Sequence, residues 1–368
     1  MNKLITGIGI LFLSGMVSAS AQMQYVDNDA CQDDLSLSTP KFTREASPLD
    51  TLRKYILTPK APDTPRINGA KVFGVRPGSQ FLYTIPATGI RPMTFSVENL
   101  PKGLKVNTET GRITGSIQKA GEYIVTFIAK NSLGEAKRNF KIVVGDKIAL
   151  TPPMGWNSWN CWGHAVSQEK VLSSAKAMVE KGLINHGWQY INIDDGWQGL
   201  RGGKYNGVMT NSKFPDMKGL ADAVHAMGLK IGIYSGPWVG TYAGHIGAYC
   251  DNPDGTYDWV ERYANEYYRY VDTTKQTKHG VNYHHGKYSF VKNDVRQWME
   301  WGMDYLKYDW NPNDVYHVTE MHDALRSHNR DVVFSLSNSA PWGDAIQWER
   351  LANCWRTTGD IKDTWESM

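Results

Sequence analysis

From residue 66 to 146, apolar residues come in short β-rich runs separated by turn signals. The runs are 71–75, 80–85, 93–97, 113–117, 123–129 and 138–144, with Pro101-Lys102-Gly103 and Thr110-Gly111 between them. Recurrent short strands punctuated by Gly and Pro predict a small all-β, antiparallel sandwich. From Leu150 the pattern changes. Apolar strand candidates at 154–156, 190–193, 230–234, 305–308, 332–336 and 354–356 alternate with amphipathic stretches. In the first of these, Val171, Leu172, Ala175, Met178, Val179 and Leu183 fall on one stripe at helical spacing. Strands alternating with helices predict an α/β domain with a parallel sheet, either doubly wound or a (β/α)8 barrel. No G-x-G-x-x-G follows the first strand, which argues against a dinucleotide-binding sheet. Six β/α units fit before Met368, whereas a closed barrel needs eight. The sequence therefore reads as a TIM barrel truncated by two units.

The flanking segments divide the rest. Residues 1–21 read as a signal peptide: Lys3, an apolar run from 5 to 17, and Ala19-Ser20-Ala21 before Gln22. The expectation is an exported, bacterial, periplasmic or secreted protein with no membrane span once the signal is removed. Residues 22–65 are polar and Pro-dotted, a linker or lead-in with one helical turn near 52–56. The domains expected are thus 66–146, a β-sandwich, and 148–368, the barrel. Forty basic and 37 acidic residues leave +3 with no basic run, which excludes an electrostatic nucleic-acid partner. Four cysteines (Cys31, Cys161, Cys250, Cys354) are too few for a disulfide scaffold. No His/Cys cluster has zinc spacing, and His284-His285 reads as a solvated loop.

The candidate chemistry lies at the strand ends, because the loops after the strand C-termini build the site of a barrel. Those ends carry Trp156 and Asn157; Asp194 and Asp195; Tyr234; Lys307 and Asp309; Ser337 and Asn338; Arg356 and Asp360. All six deliver polar or aromatic groups to one rim. Fourteen Trp and 19 Tyr add flat rings of the kind on which the apolar face of a sugar packs. Paired carboxylates among such rings suggest glycoside chemistry, in which one attacks the anomeric carbon and the other protonates the leaving oxygen.

The strings 150–159 (LTPPMGWNSW), 193–197 (IDDGW), 232–234 (GIY), Lys307-Tyr308-Asp309, and Trp355-Arg356 with Asp360-Ile361 resemble glycoside hydrolase family 27. That is the α-galactosidase (melibiase) and α-N-acetylgalactosaminidase family, and the likeness covers roughly 148–368. Residues 95–115 resemble the Ig-like modules attached to bacterial sugar-degrading enzymes, here read as a spacer or docking domain. The resemblance implies a retaining exo-glycosidase acting on terminal α-linked galactose in oligosaccharides or glycoconjugates. Asp309 matches the family's nucleophile and Asp360 its general acid/base. Asp194 and Asp195 match the pair that holds the 4- and 6-hydroxyls, and Lys307 and Arg356 the cations on ring hydroxyls. Trp156 and Tyr234 match walls of the sugar site, and Ser337 faces the 2-substituent. No metal or organic cofactor is implied. The residues also leave open α-N-acetylgalactosaminidase or β-L-arabinopyranosidase activity, or a non-catalytic carbohydrate-binding protein.

Two expectations concern charge. Lys307 lies two residues from Asp309, so both side chains leave a strand on the same face and the cation should lower the Asp309 pKa. Asp360 should be enclosed and kept protonated, with Arg356 turned to the substrate. The chain also departs from the family it resembles. Tyr242 and Asn311 stand where that family carries a bridging cysteine pair. Residues 250–292, rich in Tyr and His, form an insertion expected on the catalytic face as a lid or subsite wall.

Overall fold

The computed structural model describes residues 60–257, 283–362 and 364–367, with the backbone alone of 261–262 and 268–269. The signal-peptide reading, the helical turn near 52–56 and the middle of the 250–292 insertion lie outside the described residues. Residues Lys60–Met368 form one unit.

Residues 66–144 fold as a two-stranded ribbon, Arg66–Ile67 with Ala87–Thr88, and two facing sheets. One has strands Val72–Val75, Gly134–Val144, Gly121–Asn131 and Thr94–Glu98 in spatial order; the other has Phe81–Thr84, Arg112–Gly115 and Leu104–Val106. Alternation drives this arrangement. Val125, Phe127 and Ala129 point inward from one long strand, and Phe140, Ile142 and Val144 from its partner. Their rings interlock with Tyr83, and Phe127 stacks on Phe140 at 4.4 Å. The antiparallel expectation needs one correction, because Val72–Val75 runs parallel to Gly134–Val144. The intervening strands carry the chain across the module before it returns, and no local signal at residue 72 reveals that.

The second region is a six-stranded, wholly parallel sheet: β1 (Gly155–Asn157), β2 (Tyr190–Asn192), β3 (Lys230–Ser235), β4 (Tyr305–Tyr308), β5 (Val333–Leu336) and β6 (Cys354–Trp355), adjacent in chain order. All six expected strands lie within a residue or two of these. Besides the single turn Trp159–Trp162, five longer helices accompany them among the described residues: α1 (Gln168–Glu180), α2 (Met217–Ala226), α3 (Val291–Trp301), α4 (Val315–Arg326) and α5 (Ala345–Leu351). Helix starts follow their caps. Ser167, Asp216 and Asp314 each accept a hydrogen bond from a first-turn amide of α1, α2 and α4. The apolar stripe of α1 buries Val171, Ala175 and Met178 beneath the sheet. Sequence alone missed the antiparallel hairpin Gln198–Gly202/Gly207–Thr210 between β2 and α2. Its Arg201 forms a fully buried ion pair with Asp294 of α3, which also accepts from the Val208 amide.

The sandwich docks at the N-terminal ends of the parallel strands, opposite the rim that carries the carboxylates. Arg76 pairs with Asp331 at 2.6 Å and donates to the carbonyls of Arg326, His328 and Arg330. Thr84 donates to the Gly228 carbonyl, and Asn68 to that of Asn185. Lys230, the first residue of β3, lies buried with its ammonium 4.1 Å from the Phe73 ring. Burial lowers its pKa to about 8, against the pull of Asp304 and Asp331. Arg76→Ala strips partners from a carboxylate and three carbonyls at once. It should destabilise the chain by about 2–3 kcal/mol, measured by denaturant unfolding. A change below ~0.5 kcal/mol would show that the contact does not hold the two regions together.

Candidate active site

Strand register aligns the functional side chains. Tyr234 of β3 lies opposite Lys307 of β4, which lies opposite Ser335 of β5. Asp309 and Ser337 follow one step beyond the paired residues. The Asp309 amide donates to the Ser235 carbonyl and the Ser337 amide to that of Tyr308. Two glycines allow this close spacing. A Cβ at Gly232 would fall 2.1 Å from Asn192 Oδ1, and one at Gly236 would fall 2.4 Å from the Asp309 carbonyl oxygen. Any larger residue at 236 would push the Asp309 backbone outward.

Lys307 is the hub. Its ammonium lies 2.9 Å from Asp194 Oδ2 and 3.9 Å from Asp309 Oδ2, over the Tyr234 ring at 5.1 Å. Burial works against its charge, but Asp194 and Asp309 overcome that and hold its pKa above the ordinary value. The expected convergence of Lys307 and Asp309 is therefore present; its expected effect on Asp309 is not. Burial dominates and raises the Asp309 pKa, while Lys307, the Ser337 hydroxyl and the Tyr234 hydroxyl, at 3.1 Å, oppose it. Removal from water outweighs a cation at 3.9 Å that Asp194 also shares.

Asp194 is fixed from three sides: Asn157 Nδ2 donates to its Oδ2 at 2.8 Å, Lys307 donates to the same oxygen, and its amide donates to Ser158 Oγ. Asp195 accepts from Thr241 Oγ1 at 2.9 Å and from the Ala243 amide at 2.8 Å. Burial raises its pKa to about 7 from an ordinary 3.8, more than those two donors can offset. The folded chain thus binds more protons than the unfolded chain between these values, and stability falls as pH rises from about 4 to 7. Relative to Asp195→Asn, the wild type should lose about 2–4 kcal/mol across that window, at about 1.4 kcal/mol per pH unit separating the two values. Denaturant unfolding of both proteins at pH 4.5 and 7.5 measures this; an equal stability gap at both pH values would refute it.

The remaining predicted residues lie around this core. Trp156 is half-buried, with its indole N–H 3.3 Å from Cys161 Sγ. Ser337 is buried, and its one hydroxyl hydrogen can go either to Asn338 Oδ1, at 3.0 Å, or to Asp309. Arg356 and Asp360 depart from expectation. They form an ion pair at 2.6 Å, and the Asp360 side chain is 84% exposed rather than enclosed. Both side chains turn to each other and to water.

The sequence reading assigns no role in the site to four contributors, Asn157, Thr241, Tyr242 and Tyr283. Asn157 sits at a strand end, yet its grip on Asp194 needed the register of β1 with β2. Thr241 and Tyr242 lie in a loop that returns over the rim. Burial raises the Tyr242 pKa, and both Asp309 and Asp360 add to the rise, so the phenol is within electrostatic reach of both carboxylates. Tyr283, at the returning end of the insertion, stacks on Trp238 at 5.0 Å and packs against Tyr242 at 5.4 Å. Asp195 contributes to the rise in the Tyr283 pKa, which places this end of the insertion beside the site.

Residues 64–145 match a family described as "Putative Ig domain", and residues 151–261 one described as "Alpha galactosidase A". Alpha-galactosidase A of Cellvibrio japonicus is 36% identical over 232 residues, covering 60% of this chain and 46% of that protein. An alpha-galactosidase of Coffea arabica is 36% identical over 237 residues, 61% of this chain and 51% of that one. The chain spans about half the length of the curated relatives it matches. A crystal structure titled "putative alpha-galactosidase" from Bacteroides fragilis aligns with TM-score 0.68 at 34% identity, over 84% of this chain and 60% of the other.

Proposed function

We propose, from a barrel segment of the glycoside hydrolase family 27 kind joined to an Ig-like module, that this chain carries the site of a retaining exo-α-galactosidase. The single observation that carries the reading is Lys307 held between Asp194 and Asp309 at the C-terminal rim of a parallel sheet. The names of the relatives favour the same reading.

In this reading the six-stranded sheet is part of a (β/α)8 barrel. Asp194 and Asp195 accept the hydroxyls of a terminal galactose, with Lys307 on a neighbouring hydroxyl and the Trp156 ring along the apolar face. Asp309 attacks the anomeric carbon as Asp360 protonates the departing oxygen. A galactosyl ester on Asp309 forms, and water deprotonated by Asp360 then attacks it, restoring Asp309 and releasing galactose of the original anomeric configuration. Lys307 and the Tyr234 and Ser337 hydroxyls keep Asp309 ionised against its burial. Export is proposed from residues 1–21 alone. Among the described residues, no helix is long and apolar enough to cross a membrane.

One observation favours a second reading. The exposure of Asp360 and its pairing with Arg356 suit a chain that binds galactose without efficient turnover. Assay of this chain with aryl α-galactoside and aryl N-acetyl-α-galactosaminide, alongside galactose binding by calorimetry, separates the readings. Hydrolysis of the galactoside supports the enzyme, and binding without hydrolysis supports the second reading. Preference for the N-acetyl substrate would move the specificity to galactosamine, and failure to bind either sugar would overturn both.

A further inference from the structure

Three ligand-bearing side chains meet beside the loop that follows Asp309. His285 comes from the returning end of the insertion, just before the short strand Tyr288–Ser289 that pairs with Tyr249–Cys250. Asp314 caps α4 and His317 lies in its first turn, just after the loop that follows Asp309. The imidazoles of His285 and His317 stack with centroids 3.7 Å apart and planes 13° from parallel. His317 Nδ1 lies 2.7 Å from Asp314 Oδ2, and His285 Nε2 lies 4.0 Å from the same oxygen. One ligand atom from each of the three residues lies within 4.8 Å of the others.

We propose that His285, Asp314 and His317 bind a first-row divalent cation, for which Zn²⁺ is the fitting ion. Two imidazoles and one carboxylate match the ligand preference of zinc, with a fourth position left for water. Bonds of about 2.0–2.1 Å to zinc set neighbouring ligand atoms roughly 3.3 Å apart. The present spacings of 2.7 and 4.0 Å straddle that value, so side-chain shifts of roughly 0.7 Å suffice. The ion would replace the hydrogen that His317 and Asp314 now share. The Pro237 carbonyl accepts a hydrogen bond from the His285 ring, the kind of outer support that orients a ligating imidazole. Rings of Tyr249, Trp310 and Tyr316 pack edge-on around His317. The sequence could not show this cluster, because His285 stands 29 residues before Asp314 and no zinc spacing links them.

The cation would clasp the end of the insertion to the loop that follows Asp309. It is structural, takes no part in glycoside chemistry, and does not depend on the proposed activity. The metal-free chain, dialysed against Zn²⁺ and then against buffer, should retain one equivalent by elemental analysis, with a micromolar or tighter Kd and a raised Tm. Dropping the pH from 7.5 to 5.5 should weaken binding at least tenfold, since protons compete for both imidazoles. His285→Ala, at a partly exposed position, should keep the metal-free Tm yet bind Zn²⁺ at least tenfold more weakly and lose the Tm gain. Retention of no zinc by the wild type would overturn the proposal. So would equal retention by wild type and His285→Ala, which would place the ion on other histidines. Should His285→Ala lower the metal-free Tm, His285→Gln, which keeps a hydrogen-bonding side chain, serves for the same comparison.

Discussion

Asp309→Ala should lower kcat/KM for an aryl α-galactoside by ~10⁴-fold or more, because removal of a nucleophile leaves only what binding and surrounding charges supply. Galactose binding should weaken far less, by less than about tenfold, since Asp194, Asp195 and Lys307 stay in place and one carboxylate among several contacts is worth about 1 kcal/mol. This split between turnover and binding separates a nucleophile from a residue that merely shapes the pocket. The wild-type pH profile carries the same signature. Burial raises the Asp309 pKa, so the acidic limb of kcat/KM should lie above the range of an ordinary aspartate, near ~3.9. Lys307→Met should move that limb further up by removing the nearest cation. Activity of Asp309→Ala within tenfold of the wild type would exclude the assignment.

Asp360→Ala should discriminate between substrates. General-acid help is worth roughly 10²–10⁴-fold where the leaving oxygen needs a proton, and little where the leaving group is already stable. Natural galactosides should therefore lose that factor, while nitrophenyl galactosides should lose less than about tenfold in the first chemical step. Equal losses on both would remove Asp360 from the acid role. The observed ion pair sharpens the demand, because Arg356 holds one Asp360 oxygen at 2.6 Å. Protonation of a glycosidic oxygen requires that Arg356 turn instead to a sugar hydroxyl, so catalysis needs the segment after β6 to rearrange around substrate.

The parts of this molecule that were legible in the chain are those set by local pattern. The inner parallel strands β2 to β5 are largely buried runs rich in apolar residues, and each run names its strand whatever its partner. Rim residues follow, since the residue after a parallel strand points to the C-terminal edge. What stayed hidden depends on partners distant in sequence. The parallel pairing of Val72–Val75 with Gly134–Val144 needed a crossover that period-2 alternation does not encode. The raised pKa of Asp309 is hidden in the sequence because its cation is two residues away and visible, whereas its burial exists only in the folded chain. Asp360 was expected inside because its role demands enclosure, but enclosure requires something packed over residues 356–362. His285 is exposed, as a loop residue would be; only the fold carries it to the start of α4.

The most direct measurement of the central claim is the site of covalent trapping by a fluorinated α-galactosyl fluoride, whose sugar ester hydrolyses slowly enough to survive proteolysis. Mass spectrometry of the digested protein should find the sugar on Asp309, with one label per chain and loss of labelling in Asp309→Ala. A label on another carboxylate, or β-galactose as the first product seen by NMR with no label at all, would contradict the account.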